Sequence, residues 1–396
     1  MSPWCLPRVG NLRLQGHRGI VRANSNNMNK INVLIFSFLI TAATFGQSKI
    51  YIDKLVDTTD IETKKVVTLW INYLESKPDS LYDNPYWNAK EKTEHKHFDF
   101  LENEFDPSLY MGFPVTILNV KNSNGLYQIK SVFATCDSTD QPDILCIANV
   151  FAKKENGEYK LFNALPINRD KEWNHRKVGY IDYYFPSYHV FDSAKAAKQN
   201  DFMIEACKNF EVPIKQVEYY FADDFNEIER LRGFDYERGL SGKLIPQGKA
   251  GDDKVYCAGM GEYYPHELIH VLIDPYYPDC HNWVHEGLAT FLGGSRGEDL
   301  TWHIKRANDY LLKHPEIDLN HVLELISIDE YTDYRYVIGG LICELVYEKG
   351  GWKLLKEFLN TGKTDKDYYN ALESFLNVKQ KDLNTFLRTE LKNRAK

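Results

Sequence analysis

Residues 263–294 read YYPHELIHVLIDPYYPDCHNWVHEGLATFLGG. His266, His270, His281, His285, Glu267 and Glu286 stand here among aromatic and aliphatic residues. Ionisable side chains are rarely buried in apolar helices without partners, so the pattern asks what they surround. His266 and His270 are four residues apart, which on a helix puts both imidazoles on one face, close enough to share one metal ion. Pro265 suits a first helical turn, where its missing N–H costs nothing. Asp274-Pro275 predicts the helix end. Glu267 lies beside the histidine face.

HELIH is an instance of HExxH, in which two histidines bind zinc and the glutamate takes a proton from zinc-bound water. Two histidines leave a closed set incomplete, so a third ligand is needed. Glu286 follows His270 after fifteen intervening residues, room for a turn and a second helix. His281, His285 and Cys280 compete for the third place. His285 and Glu286 are neighbours on a helix, about a third of a turn apart, so both cannot easily face one ion.

HELIH followed by WVHEGLATF resembles the gluzincin metallopeptidases, most closely their aminopeptidase-N-like and peptidase-MA-like members. The match covers Trp283, Glu286, Gly287, Ala289 and Thr290, with His285 where the aminopeptidases usually carry Asn. The fold expected is α+β: a small N-terminal α+β domain outside the resemblance, then, as the resemblance implies, a zincin (thermolysin-like) sheet-plus-helices catalytic domain with a helical C-terminal lobe. The resemblance also implies Zn2+ on His266, His270 and Glu286, Glu267 as general base, and a tyrosine hydroxyl donating to the oxyanion. That last role falls on Tyr336 of YVIGGLICELVYEKG, with Tyr334 as the fallback. The likeness spans about residues 173 to 362. The aminopeptidases carry a Gly-x-Met-Glu-Asn segment well upstream of the metal motif. Here the nearest string is GMGEYY at 259–264, and Glu262 sits too close to the motif for the same role. An endopeptidase or a narrow-specificity peptidase therefore fits better than an aminopeptidase. The competing reading is a zinc- or peptide-binding protein on the same scaffold that does not cleave. A third has no metal and gives partner binding to the N-terminal domain.

Upstream, residues 59–76 space Val66, Leu69, Trp70 and Tyr73 as a helix does. FPVTILNV, LYQIKSVFA, ILCIANVFAKK and YKLFNAL read as strands separated by turn chemistry. Together they predict the N-terminal α+β domain, residues 47–168, with no catalytic constellation. VGYIDYYFP and QVEYYFA predict strands, with a helix over 192–209 between them and another in DDFNEIERLRG. A Gly-rich loop, GLSGKLIPQGKAGDD, then leads to a short strand at KVYCAG, expected as an edge on which a peptide substrate could pair. Residues 169–300 form the expected catalytic domain and 301–396 the helical lobe. His303, His314 and His321 are expected on solvated helix faces, and His95 and His97 at the surface.

The formal charge is −8. Residues 1–46 hold Arg8, Arg13, Arg18, Arg22 and Lys30 and no acid, so without them the balance falls by five to −13. An acidic body argues against nucleic acid and anionic membranes as partners and leaves a peptide or protein substrate. Oligomeric state is left open. Met28 opens a short basic region followed by an apolar run from Val33 to Phe45, too short for a comfortable membrane span. Residues 28–46 are read as a signal peptide, with an uncleaved anchor helix as the alternative, and residues 1–27 as a leader or non-native segment. Export, periplasmic or extracellular, permits disulfides among Cys136, Cys146, Cys207, Cys257, Cys280 and Cys343. Cys136–Cys146 and Cys257–Cys280 are the first pairs to test, against buried free thiols. The expected mature N-terminus lies near Gln47. N-terminal sequencing of the exported protein checks this, and a mature chain starting at Met1 or Met28 refutes it.

Overall fold

The computed structural model describes residues 49–76, 85–94, 113–136, 138–239, 241–242, 245–251 and 253–396. The signal-peptide reading, His95 and His97 lie outside them. The fold is mixed α+β, with two sheets. The first part runs β1 (Ile50–Ile52), α1 (Ile61–Glu75), α2 (Ala89–Glu94), β2 (Val115–Ser123), β3 (Leu126–Cys136), β4 (Pro142–Glu155) and β5 (Glu158–Phe162). Asp60 caps α1 by accepting from the Thr63 N–H, which satisfies one of the free donors of the first turn. Val66, Val67, Trp70 and Tyr73 are buried against Ile117, Ile129, Phe133 and Leu161 of the sheet. The Trp70 indole donates to Ser131 Oγ at 3.0 Å. Strands β2 to β5 form an antiparallel meander, with β1 parallel to β2.

A helix, α3 (Ala164–Glu172), leads into β6 (Trp173–Val178), β7 (Ile181–Pro186), α4 (Ser193–Phe210), β8 (Val217–Ala222), α5 (Phe225–Arg232) and β9 (Phe234–Glu237). Strand β9 does not join the second sheet. It pairs with β4 in the first, at Cys146–Ala148. Strands β10 (Gln247–Gly251) and β11 (Lys254–Ala258) complete the second sheet, in the order β10-β11-β8-β7-β6. Its two faces alternate with period 2, as strand geometry requires. Tyr183, Tyr219, Phe221, Val255 and Cys257 face the large core. Tyr220, Ala222, Tyr256 and Ala258 face the smaller one with α5. Tyr184, Tyr220 and Tyr256 stack across three strands, at 4.8 and 5.3 Å between ring centres.

KVYCAG is therefore not an edge. Strand β11 lies between β10 and β8, and the edge is β10, QGKAG, which the sequence presents as part of a Gly-rich loop. Glycine has little strand propensity, so tertiary pairing decides this strand.

The remainder is helical: α6 (Pro265–Leu272), a 3-10 turn at Asp274–Tyr276, α7 (Asn282–Gly293), α8 (Leu300–Lys313), α9 (Tyr334–Leu359), α10 (Asp365–Leu376) and α11 (Leu383–Arg394). Helix α9 breaks at Gly350–Gly351. No described helix is long and apolar enough to cross a membrane. The described cysteines are all free thiols. Cys136 lies opposite Pro142 and Cys146 opposite Phe133, so that pair is offset along the strands. Cys257 sits inside the sheet, whereas Cys280 lies near Cys343, which adds to the rise that burial causes in the Cys280 thiol pKa.

Helices α7 and α9 meet backbone to backbone. A Cβ on Gly287 would lie 2.4 Å from the Gly339 carbonyl carbon, and one on Gly339 would lie 2.5 Å from the Trp283 oxygen. Alanine in a helix interior normally gains about 1 kcal/mol over glycine. Here the gain is outweighed, and Gly287→Ala is expected to cost about 1–3 kcal/mol through overpacking. Urea denaturation reads the sign, and a stabilised variant would refute the contact.

Candidate metal and catalytic site

Helix α6 presents His266 and His270 on one face, and α7 brings Glu286 to it. His266 Nε2 lies 3.2 Å from His270 Nε2. Glu286 Oε2 lies 3.4 Å from the first and 3.5 Å from the second. These three are the only group of histidine, cysteine and acidic side chains among the described residues with ligand atoms close enough to hold one ion. Zinc bonds of about 2.0–2.1 Å in tetrahedral array set ligand atoms roughly 3.3–3.4 Å apart, which the triangle matches.

The far side of each imidazole is fixed. His266 Nδ1 is 2.6 Å from the Gly294 carbonyl oxygen, so Nδ1–H donates and Nε2 keeps its lone pair toward the cluster. His270 Nδ1 is 2.8 Å from Asp274 Oδ2. Such partners orient ligand histidines. The other Asp274 oxygen lies 2.7 Å from His285 Nδ1. His285 thus belongs behind His270 and outside the triangle. His281 caps α7, accepting from the Trp283 N–H at 3.2 Å, and its ring lies 4.9 Å from that of Tyr368. Cys280 is buried with its thiol on the His281 carbonyl. None of the three competitors reaches the cluster.

The charges are coupled. Burial opposes charge on His270, yet Asp274 and Glu286 outweigh it and hold its pKa well above the usual value. Burial also disfavours ionised Glu286, and the two histidines with Arg335 overturn that and hold it well below the carboxylate range. Both shifts express the attraction between charged His270 and ionised Glu286. The side chain of His266 is 3% exposed, against 17% for His270 and 19% for Glu286, so the triangle opens on the side of the latter two.

Glu267 is buried, with its pKa raised by burial and held back by the two histidines. Edge strand β10 passes directly over it: a Cβ on Gly248 would come within 2.4 Å of Glu267 Oε1. Only glycine allows the strand that close. The Tyr336 ring stands edge-on to His266, 5.7 Å between centres. Its hydroxyl pKa is raised by burial and then by Glu286. Tyr334 is buried and its surroundings are Tyr310 and Arg388 in the helical lobe. Glu262 is buried too, accepting from His189 Nε2 at 2.8 Å and from the Asp192 N–H at 2.7 Å.

No family model matches the chain, and no curated protein matches it. Three solved structures of M1 zinc metallopeptidases are similar to 72% of the chain at 10% identity. One is a two-domain enzyme in a mutant form bound to L-arginine, with a TM-score of 0.30 over 62% of its length. The others are from Deinococcus radiodurans, a mutant form at 0.30 over 63% and a second structure at 0.29 over 62%. The chain thus spans less than two thirds of the length of these structures.

His321 is exposed and His314 is half-buried at the C-cap of α8, so neither stands on a helix face, whereas His303 lies on α8 and is fully buried. Its Nε2 lies 2.9 Å from the Ser295 carbonyl oxygen and its Nδ1 3.1 Å from Thr332 Oγ1. The first contact makes Nε2–H the donor and leaves Nδ1 to accept the threonine proton. His303 so ties the segment after Gly294, which orients His266, to the turn that starts α9. Periodicity places His303 on a helix but not on its buried side, because Trp302 and Lys305 flank it. His303→Ala leaves the buried Thr332 hydroxyl without its acceptor, at about 1–3 kcal/mol, while the Ser295 carbonyl keeps the Glu298 N–H. A loss of that order in denaturant unfolding is expected. An unchanged midpoint would show the contacts to be dispensable.

Proposed function

We propose that the chain is an exported zinc metallopeptidase with a zincin-like arrangement of sheet and helices. His266, His270 and Glu286 would hold the ion. The observation that carries this is the triangle of ligand atoms, with a buried carboxylate and an edge strand beside it. Zinc, when bound, supplies a Lewis acid and lowers the pKa of water to about 7. Glu267 accepts the proton of the attacking water and returns it to the leaving amine, a role that a raised carboxylate pKa suits. Tyr336 donates its hydroxyl to the oxygen of the scissile carbonyl as charge develops there. Its raised pKa keeps that proton in place at neutral pH. The free edge of β10 lays an extended peptide across Glu267 by backbone pairing. We infer cleavage within a chain rather than removal of a first residue, because Glu262 is committed to His189 and the Asp192 backbone instead of being free to hold an α-amino group.

Three variants test the reading. One zinc per chain is expected by elemental mass spectrometry. His270→Ala should lose it, and Asp274→Ala should bind it about 10–100-fold more weakly, the usual cost of removing a partner behind a ligand. Glu267→Gln should keep zinc and melting temperature and lose on the order of a hundredfold to ten-thousandfold in peptide hydrolysis. Wild-type protein that binds zinc but cleaves nothing in a broad peptide library would support a binding protein instead. Wild-type rates in Glu267→Gln would refute the general base.

A further inference from the structure

Arg296 is out of pattern in two ways. Ser295 and Glu298 bond through both backbone N–H groups, at 2.8 and 3.0 Å, which closes a two-residue turn over Arg296 and Gly297. Both have positive φ, 54° and 84°. Such turns favour Asn, Asp or Gly at the first position, and a long side chain there is uncommon. Backbone strain of this kind gathers at functional sites.

The second oddity is electrostatic. The partly buried arginines elsewhere are matched: Arg169 with Asp170 and Glu218, Arg232 with Glu237, Arg238 with Asp143, Arg394 with Glu344 and Glu348. Arg388 donates to three backbone carbonyls. Among the described residues, Arg296 has one acceptor, the Pro246 carbonyl at 3.2 Å, and no carboxylate within ion-pair distance. Glu267 and Asp333 feel its charge, but neither lies within ion-pair distance, so the guanidinium fork can still pair with a further carboxylate.

Its position says which carboxylate that is. Pro246 directly precedes β10, the strand that covers Glu267. Arg296 itself lies two residues beyond Gly294, whose carbonyl orients His266. The cation therefore stands where the open edge strand meets the metal cluster. Its charge is felt at Tyr264, Glu267, Asp333 and Tyr336, in each case opposing the upward shift that burial causes.

We propose that Arg296 determines specificity, binding a carboxylate of the peptide laid along β10: an Asp or Glu side chain near the scissile bond, or the free C-terminus of a short substrate. This rests on the peptidase reading for its substrate, though not for its chemistry. Guanidinium and carboxylate pair through two parallel charge-assisted hydrogen bonds, which neutral side chains cannot reproduce.

The test uses zinc-loaded full chain and one peptide scaffold. Single positions carry Glu or Gln, and the C-terminus is free or amidated, so the two sources of carboxylate are read separately. Cleavage gives kcat and KM. Fluorescence anisotropy on Glu267→Gln gives binding without turnover. Acid is expected to exceed its neutral counterpart by on the order of ten- to a hundredfold in one arm, mainly in KM and in binding. Arg296→Asn should reduce that ratio to near one while melting no lower than wild type, because Asn suits the turn. Arg296→Lys should keep part of it. Equal acid-to-neutral ratios in wild type and Arg296→Asn, or no preference in wild type, would overturn the assignment. Acid-selective binding without cleavage of any peptide would leave Arg296 standing and remove the peptidase reading.

Discussion

The site depends on three helices being allowed to touch without side chains between them. Gly287 of α7 faces Gly339 of α9, and Gly293 at the end of α7 faces the backbone of Pro265 and His266, where an added Cβ would lie 2.5 Å from the His266 nitrogen. Glu286 adjoins the first contact, Tyr336 lies one turn before Gly339, and His266 forms part of the second. Helix α7 therefore sets the distances among all three groups through contacts that cannot be adjusted by a rotamer. Close-packed interiors transmit small displacements, so the triangle of His266, His270 and Glu286 inherits its precision from backbone proximity.

Around that frame the polar groups form a closed chain of support. Gly294 receives the proton of His266, Asp274 that of His270, and His303 holds both Ser295 and Thr332. These partners fix the two imidazole rings so that Nε2 of each faces the cluster. The same turn that orients His266 also carries Arg296. One short hairpin thus links the geometry of the cluster to the charge presented beside the edge strand.

Much of the site could be read from the chain because its signals are local. His266 and His270 need only a helix, and Glu286 lies in the next one. Strands β2 to β5 and the helices after Gly294 follow their periodicity closely. The failures are non-local. QGKAG has the composition of a loop and becomes an edge strand because β11 pairs with it and Glu267 lies beneath it. His303 looks polar in its helix and is buried because the turns at Ser295 and Thr332 close over it. Cys280 and Cys343 are brought together by the packing of α7 on α9, which no spacing announces. Arg296 stands out only once the turn around it is known.

Strand β9 carries a consequence for how the molecule is made. Strand β4 is long enough that one of its edges takes β5 along Phe151–Glu155 and β9 along Cys146–Ala148. The first sheet is finished by residues that emerge from the ribosome only after three strands of the second sheet. Until then half of one β4 edge is open, and open edges invite pairing with other chains. Long-range closure of this kind is slow. The two sheets should therefore become stable in one step rather than in sequence, with β9 acting as the latch between them.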